Sequence, residues 1–148
     1  MLSAKKALPA ILFAALVLFI VSANHSAPPV RDKVLEEVQI VQKDGNVIIE
    51  VQFSFPLRYL SHFPQEKGES LRIRLRPVRV PSSDANAVFR REGVVPQYAD
   101  TVAIDEVIYE GDVPGGPFLT FNFTRPASYQ VIPGPDYRSV SVVMVSVD

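Results

Sequence analysis

The chain has 148 residues and no cysteine, and its 15 basic and 16 acidic residues give a formal net charge of −1. The absence of cysteine excludes a disulfide framework and a thiol nucleophile. The negative balance argues against nucleic acid as a partner. A chain of this length is long enough for one domain with its own apolar core.

The first 23 residues have the pattern of a secretory signal peptide. Lys5 and Lys6 precede an apolar run over 7–21, and small residues close the segment at Ala23. A basic start, an apolar stretch of roughly 7–15 residues and a small-x-small end are typical of a signal that is cleaved, here after Ala23. The alternative is an uncleaved anchor, which usually needs about 18 or more apolar residues. In either case we expect a periplasmic or otherwise exported protein.

Beyond the signal segment the sequence predicts a short tether over 24–33 and an all-β domain over 34–148. Thirteen prolines and seven glycines interrupt the chain, and apolar residues alternate with polar ones, which is the period of a strand. Alternation of this kind favours antiparallel sheets with one wet face. We therefore expect seven or eight strands in an antiparallel β-sandwich, with no more helix than a short turn within 84–93.

Three strands are predicted in the first half of the domain. Asp44-Gly45 forms a hairpin turn, because both residue types accept positive φ. The second strand covers 47–53, and Pro56 ends its pairing because proline has no amide hydrogen. A loop is expected over 61–69, followed by a strand over 71–76 that alternates between aliphatic residues and arginines.

The second half is predicted to follow the same plan. A long connection over 81–98 leads to a strand that starts near Thr101 and turns at 111–116. The chain returns through 119–123, turns again at Gly134 and ends in a strand over 137–147. The predicted core lies on the inward positions of all these strands: Val47, Ile49, Val51, Phe53, Leu71, Ile73, Leu75, Leu119, Phe121, Phe123, Val140 and Val142.

The two halves repeat one pattern of residues. The aromatic and proline positions of the first half recur at the same offsets in the second, as Phe53, Pro56 and Tyr59 against Phe123, Pro126 and Tyr129. Self-similarity of this kind indicates repeated structural units. We therefore predict two pseudo-symmetric units, in which Phe53 matches Phe123 and Tyr59 matches Tyr129.

This order of elements resembles the AMIN domain, a bacterial envelope module with two symmetric sheets. Each half has a strand, a turn, a strand that ends in a Phe-x-x-Pro-x-x-Tyr-like segment, a loop and an alternating strand. The segment 59–77 also resembles the β-domain that precedes tetratricopeptide repeats in some proteobacterial proteins. Members of the AMIN family are taken to bind cell-wall polymer, or to place a partner enzyme or secretin in the envelope. The resemblance therefore implies a role in the cell envelope.

Charge is unevenly distributed along the chain. Residues 57–91 include eight basic and three acidic side chains, whereas residues 92–148 include two basic and eight acidic ones. Arg72, Arg74 and Arg76 recur at every second position, so they lie on one face of a strand. Guanidinium groups match carboxylates well, which predicts a ligand-binding row that Arg58 extends. The alternative is a solvated face, or arginines paired across the sheet with Glu50.

The residues of an enzyme site are not apparent in this sequence. His25 and His62 are far apart, and no cysteine accompanies them, so neither a metal site nor a cofactor is predicted. His62 is interpreted as an ordinary loop histidine. Asp105 and Glu106 are adjacent and point to opposite faces of a strand, which does not suit a glycosidase pair. The alternative is a pair formed by Glu106 with Glu110 or Asp112, but we expect these residues, Glu110 included, at a solvated acidic edge.

The sequence therefore predicts a non-catalytic exported module that binds an anionic cell-wall component such as peptidoglycan. Its expected contacts are Arg58, Arg72, Arg74 and Arg76. The alternative is a protein–protein adaptor for an envelope complex, with a secretion component or a repeat protein as partner. A small secreted enzyme has the least support.

Overall fold

The computed structural model describes residues 33–146. The predicted signal peptide and residues 24–32 of the predicted tether lie outside the described residues. The described part is all-β, with short 3-10 helices at Ser82–Asp84, Ala87–Phe89 and Ala99–Val102. The strands are β1 (Leu35–Lys43), β2 (Asn46–Phe53), β3 (Leu57–Phe63), β4 (Lys67–Pro77), β5 (Arg91–Val94), β6 (Ile104–Glu110), β7 (Phe118–Pro133) and β8 (Ser139–Met144).

Every strand pair is antiparallel, which confirms the prediction from period-two alternation. The strands follow the order β1-β2-β8-β7-β4-β3, with β6 paired to β7 and β5 paired to β6. Strand β7 holds the fold together because it changes partners along its length. Its first part pairs with β4 and β6, and its last part pairs with β8. The sheet curls until it is nearly closed.

The predicted hairpin turn at Asp44-Gly45 is confirmed. Lys43 and Asn46 are register partners, and the two residues between them have φ angles of 51° and 79°. Positive φ at both central positions is the geometry that a two-residue hairpin needs to match the twist of its strands.

Two sequence predictions about loops are wrong. The segment 61–69 is mostly strand, because β3 continues to Phe63 and β4 starts at Lys67. Irregular pairing near Tyr59 and near Gly68 lets these strands continue through residues that resemble a loop. The connection over 81–98 contains β5 in addition to two short 3-10 helices. Strand β5 has only four residues and includes Gly93, which weakens its signal in the sequence.

The core lies between the inward faces of the curled sheet. Of the twelve predicted core residues, all except Val47 are buried, and Val47 is half-buried against the same cluster. The alternation of each strand therefore gave the correct inward face. The prediction omitted several fully buried side chains, among them Phe55, Leu57, Val107 and Tyr109.

Tyr109 is the largest fully buried side chain of the described residues, and its hydroxyl donates a hydrogen bond of 2.7 Å to the carbonyl of Val88. Burial and, secondly, the negative charge of Glu92 raise the pKa of Tyr109 above its ordinary value of 10.0. Folding therefore favours the neutral, protonated form of the Tyr109 hydroxyl. The stability it contributes is complete below about pH 10 and is lost as the pH rises towards the folded-state pKa.

We expect the urea midpoint of the protein to fall with increasing pH above about 10, and Tyr109→Phe to reduce the steepness of that fall. An alkaline slope that is the same in wild type and in Tyr109→Phe would show that this hydroxyl is not coupled to folding.

Candidate anion-binding face

Strand β4 presents a row of arginines on its outward face, as the sequence predicted. Leu71, Ile73 and Leu75 are buried, and the arginines that alternate with them, at positions 72, 74 and 76, are exposed. On either side, β3 and β7 pair with β4, so the row runs along the middle of a three-stranded surface. The environment of each arginine depends on what these two neighbours place beside it.

Arg72 belongs to a network around Glu110 on β6. Its guanidinium lies 3.9 Å from the ring centroid of Phe118 and 3.4 Å from Oε2 of Glu110. Glu110 is only 9% exposed, and it also accepts hydrogen bonds from Arg91 at 3.0 Å and from Thr120 at 2.6 Å. The expectation of a solvated acidic edge at Glu110 is therefore wrong. The register across β7 brings Arg72 and Thr120 to this carboxylate, and the β5–β6 register places Arg91 directly opposite it.

The sequence also proposed Glu50 as a partner for the arginines, and this is wrong. Glu50 lies on β2, where its carboxylate accepts a hydrogen bond of 3.3 Å from Gln39. Strands β2 and β4 are not neighbours in the sheet. The partner of Arg72 lies on β6, two strands away from β4, and only the order of strands reveals it.

Arg74 contacts backbone rather than a carboxylate. Its Nε donates a hydrogen bond of 3.1 Å to the carbonyl oxygen of Gly115, in the turn between β6 and β7. This bond holds the turn against the exposed face of β4. The bond uses Nε alone, and Arg74 remains exposed.

Arg58 and Arg76 lie directly opposite each other on β3 and β4. Register partners in an antiparallel pair have Cα atoms about 4.5–5.5 Å apart and point to the same face. The guanidinium of Arg76 has no hydrogen bond or ion pair with any of the described residues. Among the described residues, the polar partner of the Arg58 guanidinium is Tyr137, whose ring centroid lies 5.0 Å from the guanidinium and whose hydroxyl lies 3.4 Å from one nitrogen. Two exposed cations thus lie side by side without a carboxylate.

Tyr137 is the residue of this face that sequence analysis missed as a contact. It has a φ of 60°, a region that a residue with a side chain rarely adopts, and its carbonyl accepts a hydrogen bond of 2.7 Å from the amide of Leu57. The unusual backbone therefore holds the loop before β8 against the start of β3. No signal in the sequence links Tyr137 to Arg58, because 79 positions separate them.

His62 lies on β3 and not in a loop, which corrects the sequence interpretation of its position. Its Nδ1 is 2.6 Å from the hydroxyl of Tyr59, and its Nε2 is 3.0 Å from the carbonyl oxygen of Gln65. Both ring nitrogens thus have partners in the hairpin that contains the histidine. Within residues 33–146 no group of three or more histidine and carboxylate side chains could hold a metal ion.

A cleft in the described region lies apart from the arginine row. It has a volume of about 700 Å³ and is bounded by the β3–β4 turn and the end of β7, with His62, Lys67 and Tyr129 among its lining residues. The Tyr129 hydroxyl closes one side through a hydrogen bond of 3.1 Å to the carbonyl of Pro64. None of the four predicted arginines lines this cleft.

No protein-family model matches this chain, and neither a curated protein nor a solved structure matches it. Among residues 33–146, no helix has the length and apolar character needed to cross a membrane.

Proposed function

We propose that this protein is a non-catalytic exported module that binds an anionic cell-wall component through the outward face of β3 and β4. The carboxylates of peptidoglycan are the first candidate ligand. The signal-peptide pattern and the resemblance to the AMIN domain support an envelope location. The arrangement of the arginines supports an anionic ligand.

The observation that carries this proposal is the Arg58–Arg76 pair. Like charges directly opposite each other destabilise a sheet, and no carboxylate of the described residues offsets this pair. An anion between the two guanidinium groups would relieve the repulsion, and both forks match carboxylate geometry. Arg74 lies two positions along β4 on the same face, which extends the surface along a polymer. Arg72 is a weaker contact, since Glu110 already neutralises it.

We further propose that the domain is a sandwich of two equivalent units. Strands β1 and β2 form a hairpin, as do β3 and β4, and the same connections recur in β6, β7 and β8. Each half also pairs with the other: β2 of the first half pairs with β8 of the second, and β4 of the first half pairs with β7 of the second. Phe53 and Phe123 are both buried. This repetition of pairings supports the two-unit arrangement and, with it, the resemblance to the AMIN domain.

Binding to purified sacculi tests the function. We expect the double variant Arg58→Gln/Arg76→Gln to bind several-fold less than wild type at low ionic strength, because two exposed charges contribute about 0–1 kcal/mol each. Wild-type binding should weaken strongly at ~0.3 M salt. It should also weaken on sacculi whose carboxylates have been amidated.

The matched control is Lys33→Gln/Arg125→Gln, which removes the same charge from exposed positions outside β3 and β4. It should bind as wild type does. If both double variants lose binding equally, net charge and not this face attracts the polymer. Unchanged binding of Arg58→Gln/Arg76→Gln would contradict the proposal.

An adaptor is the second candidate function. Strands β1, β3 and β5 each pair on one side only among the described residues, and an unpaired edge can accept a strand from another protein. Loss of sacculus binding in every condition, together with capture of a defined envelope protein, would favour this candidate.

A further inference from the structure

Strand β1 is the longest of the strands that, in the described region, have a neighbour on one side only. It has nine residues, and its single irregularity lies at its start, between Leu35 and Glu37. Strand β5 has four residues. Strand β3 is interrupted by a bulge near Tyr59, and its Leu57 amide is already bonded to Tyr137. Proteins usually protect an edge strand from further pairing by keeping it short or by interrupting it with a bulge. Residues 38–43 of β1 have neither protection.

The hairpin geometry identifies which backbone groups of β1 are free. Lys43 and Asn46 close a two-residue turn, so they form a hydrogen-bonded pair. Bonded and non-bonded pairs alternate along an antiparallel ladder. The amides and carbonyls of Val38, Ile40 and Gln42 therefore point away from β2, towards the open edge.

A groove of about 460 Å³ runs along this edge, between residues 37–40 and residues 94–98. The Glu92 carboxylate closes the start of the edge, since it accepts hydrogen bonds of 2.7 Å and 2.9 Å from the amides of Val34 and Leu35. On the far wall Val95 and Tyr98 are 67% and 72% exposed. The groove thus offers unpaired backbone on one side and apolar surface on the other.

We propose that this edge pairs with β1 of a second copy of the chain, antiparallel about a two-fold axis at Ile40. This proposal goes beyond the proposed function and uses a different surface. With Ile40 opposite Ile40, Val38 lies opposite Gln42 of the second copy, so the free backbone groups meet their counterparts in both directions. Val95 and Tyr98 then gain contacts with the second copy's strand.

Charge complementarity favours a second copy as the occupant. The same register places Glu37 opposite Lys43 of the second copy, and symmetry repeats this pair at the other end of the interface. Glu37 and Lys43 are exposed and have no ion pair with any of the described residues. Opposite charges at directly opposed positions stabilise a pair of strands. The edge is therefore complementary to itself in charge and in hydrogen bonding.

Charge reversal tests both the dimer and its register. In sedimentation of the full-length chain in nonionic detergent, Glu37→Lys and Lys43→Glu should each raise the dimer dissociation constant about tenfold. Each substitution places like charges directly opposite each other at both ends of the interface. An equimolar mixture of the two variants should associate as wild type does, since every opposed pair is then Lys with Glu. The double variant Glu37→Lys/Lys43→Glu should also recover association.

The matched control is Glu69→Lys, an exposed position on β4 that should leave association unchanged. A wild-type chain that stays monomeric at all concentrations would overturn the proposal. So would single variants that associate as wild type does. Saturable binding of an unrelated extended peptide to a monomeric chain would assign the groove to a different occupant.

Amide hydrogen exchange gives a second readout that does not depend on variants. The amides of Val38, Ile40 and Gln42 should exchange more slowly as protein concentration rises. The amides of Gln39 and Val41 already bond to β2 and should show no such dependence. Equally fast exchange of the three edge amides at every concentration would exclude strand pairing at β1.

Discussion

We expect Phe53→Ala to lower the free energy of unfolding by about 3–5 kcal/mol. Phe53 is 1% exposed and is the last residue of β2. Removing its ring takes away buried apolar surface and leaves a cavity that close-packed neighbours fill only in part. Urea unfolding followed by circular dichroism measures the loss.

The chain supplies a matched control of the same residue type. Phe63 is 74% exposed at the end of β3, so Phe63→Ala should change the free energy of unfolding by no more than about 0.5 kcal/mol. Phe123 is also buried, so Phe123→Ala should behave like Phe53→Ala. A loss below ~1 kcal/mol at Phe53 would mean that this position does not belong to the core.

The second large effect is expected at Glu110. Glu110→Ala should cost about 1–3 kcal/mol, because hydrogen bonds to a charged group contribute more than neutral ones and the truncation leaves Thr120 and two arginines without their acceptor. The side chain is 12% exposed, whereas that of Arg91 is 51% exposed. The expected cost of Glu110→Ala is therefore lower than the cost of breaking a fully buried ion pair.

Asp112→Ala is the control for Glu110. Asp112 lies 3.9 Å from the same Arg91 nitrogen, but its side chain is 49% exposed, so its loss should cost no more than about 0.5 kcal/mol. Arg72→Gln should cost less in the Glu110→Ala background than in wild type, which a double-mutant cycle measures. Equal costs for Glu110→Ala and Asp112→Ala would show that the Glu110 network contributes little to stability.

Local pattern predicted much of the fold because it depends on neighbouring residues. The alternation over 71–76 placed the aliphatic residues inside and the arginines outside, since successive side chains of a strand point to opposite faces. Asp44-Gly45 predicted its turn from the positive φ that the hairpin requires. By contrast, β5 was missed because its four residues include a glycine and depend on pairing with β6 for their conformation.

The candidate site was predicted only in part for a related reason. The sequence identified Arg58, Arg72, Arg74 and Arg76 as one row with equivalent members. The structure gives them different surroundings: a carboxylate network for Arg72, a backbone carbonyl for Arg74, and mutual opposition for Arg58 and Arg76. These differences arise from residues on neighbouring strands, which the sequence of β4 does not identify.

Local residue patterns specify the all-β class, the inward face of each recognised strand and the outward direction of the arginine row, because each of these depends on residues one to three positions apart. Which charged side chains come into contact depends instead on the order and register of the strands. Glu110 reaches Arg72 through the register of β4, β7 and β6, and Arg58 faces Arg76 through the register of β3 and β4. Register is set jointly by hydrogen bonding, bulges and core packing across several strands. The unneutralised arginine pair and the free edge of β1 therefore became visible only in the folded chain.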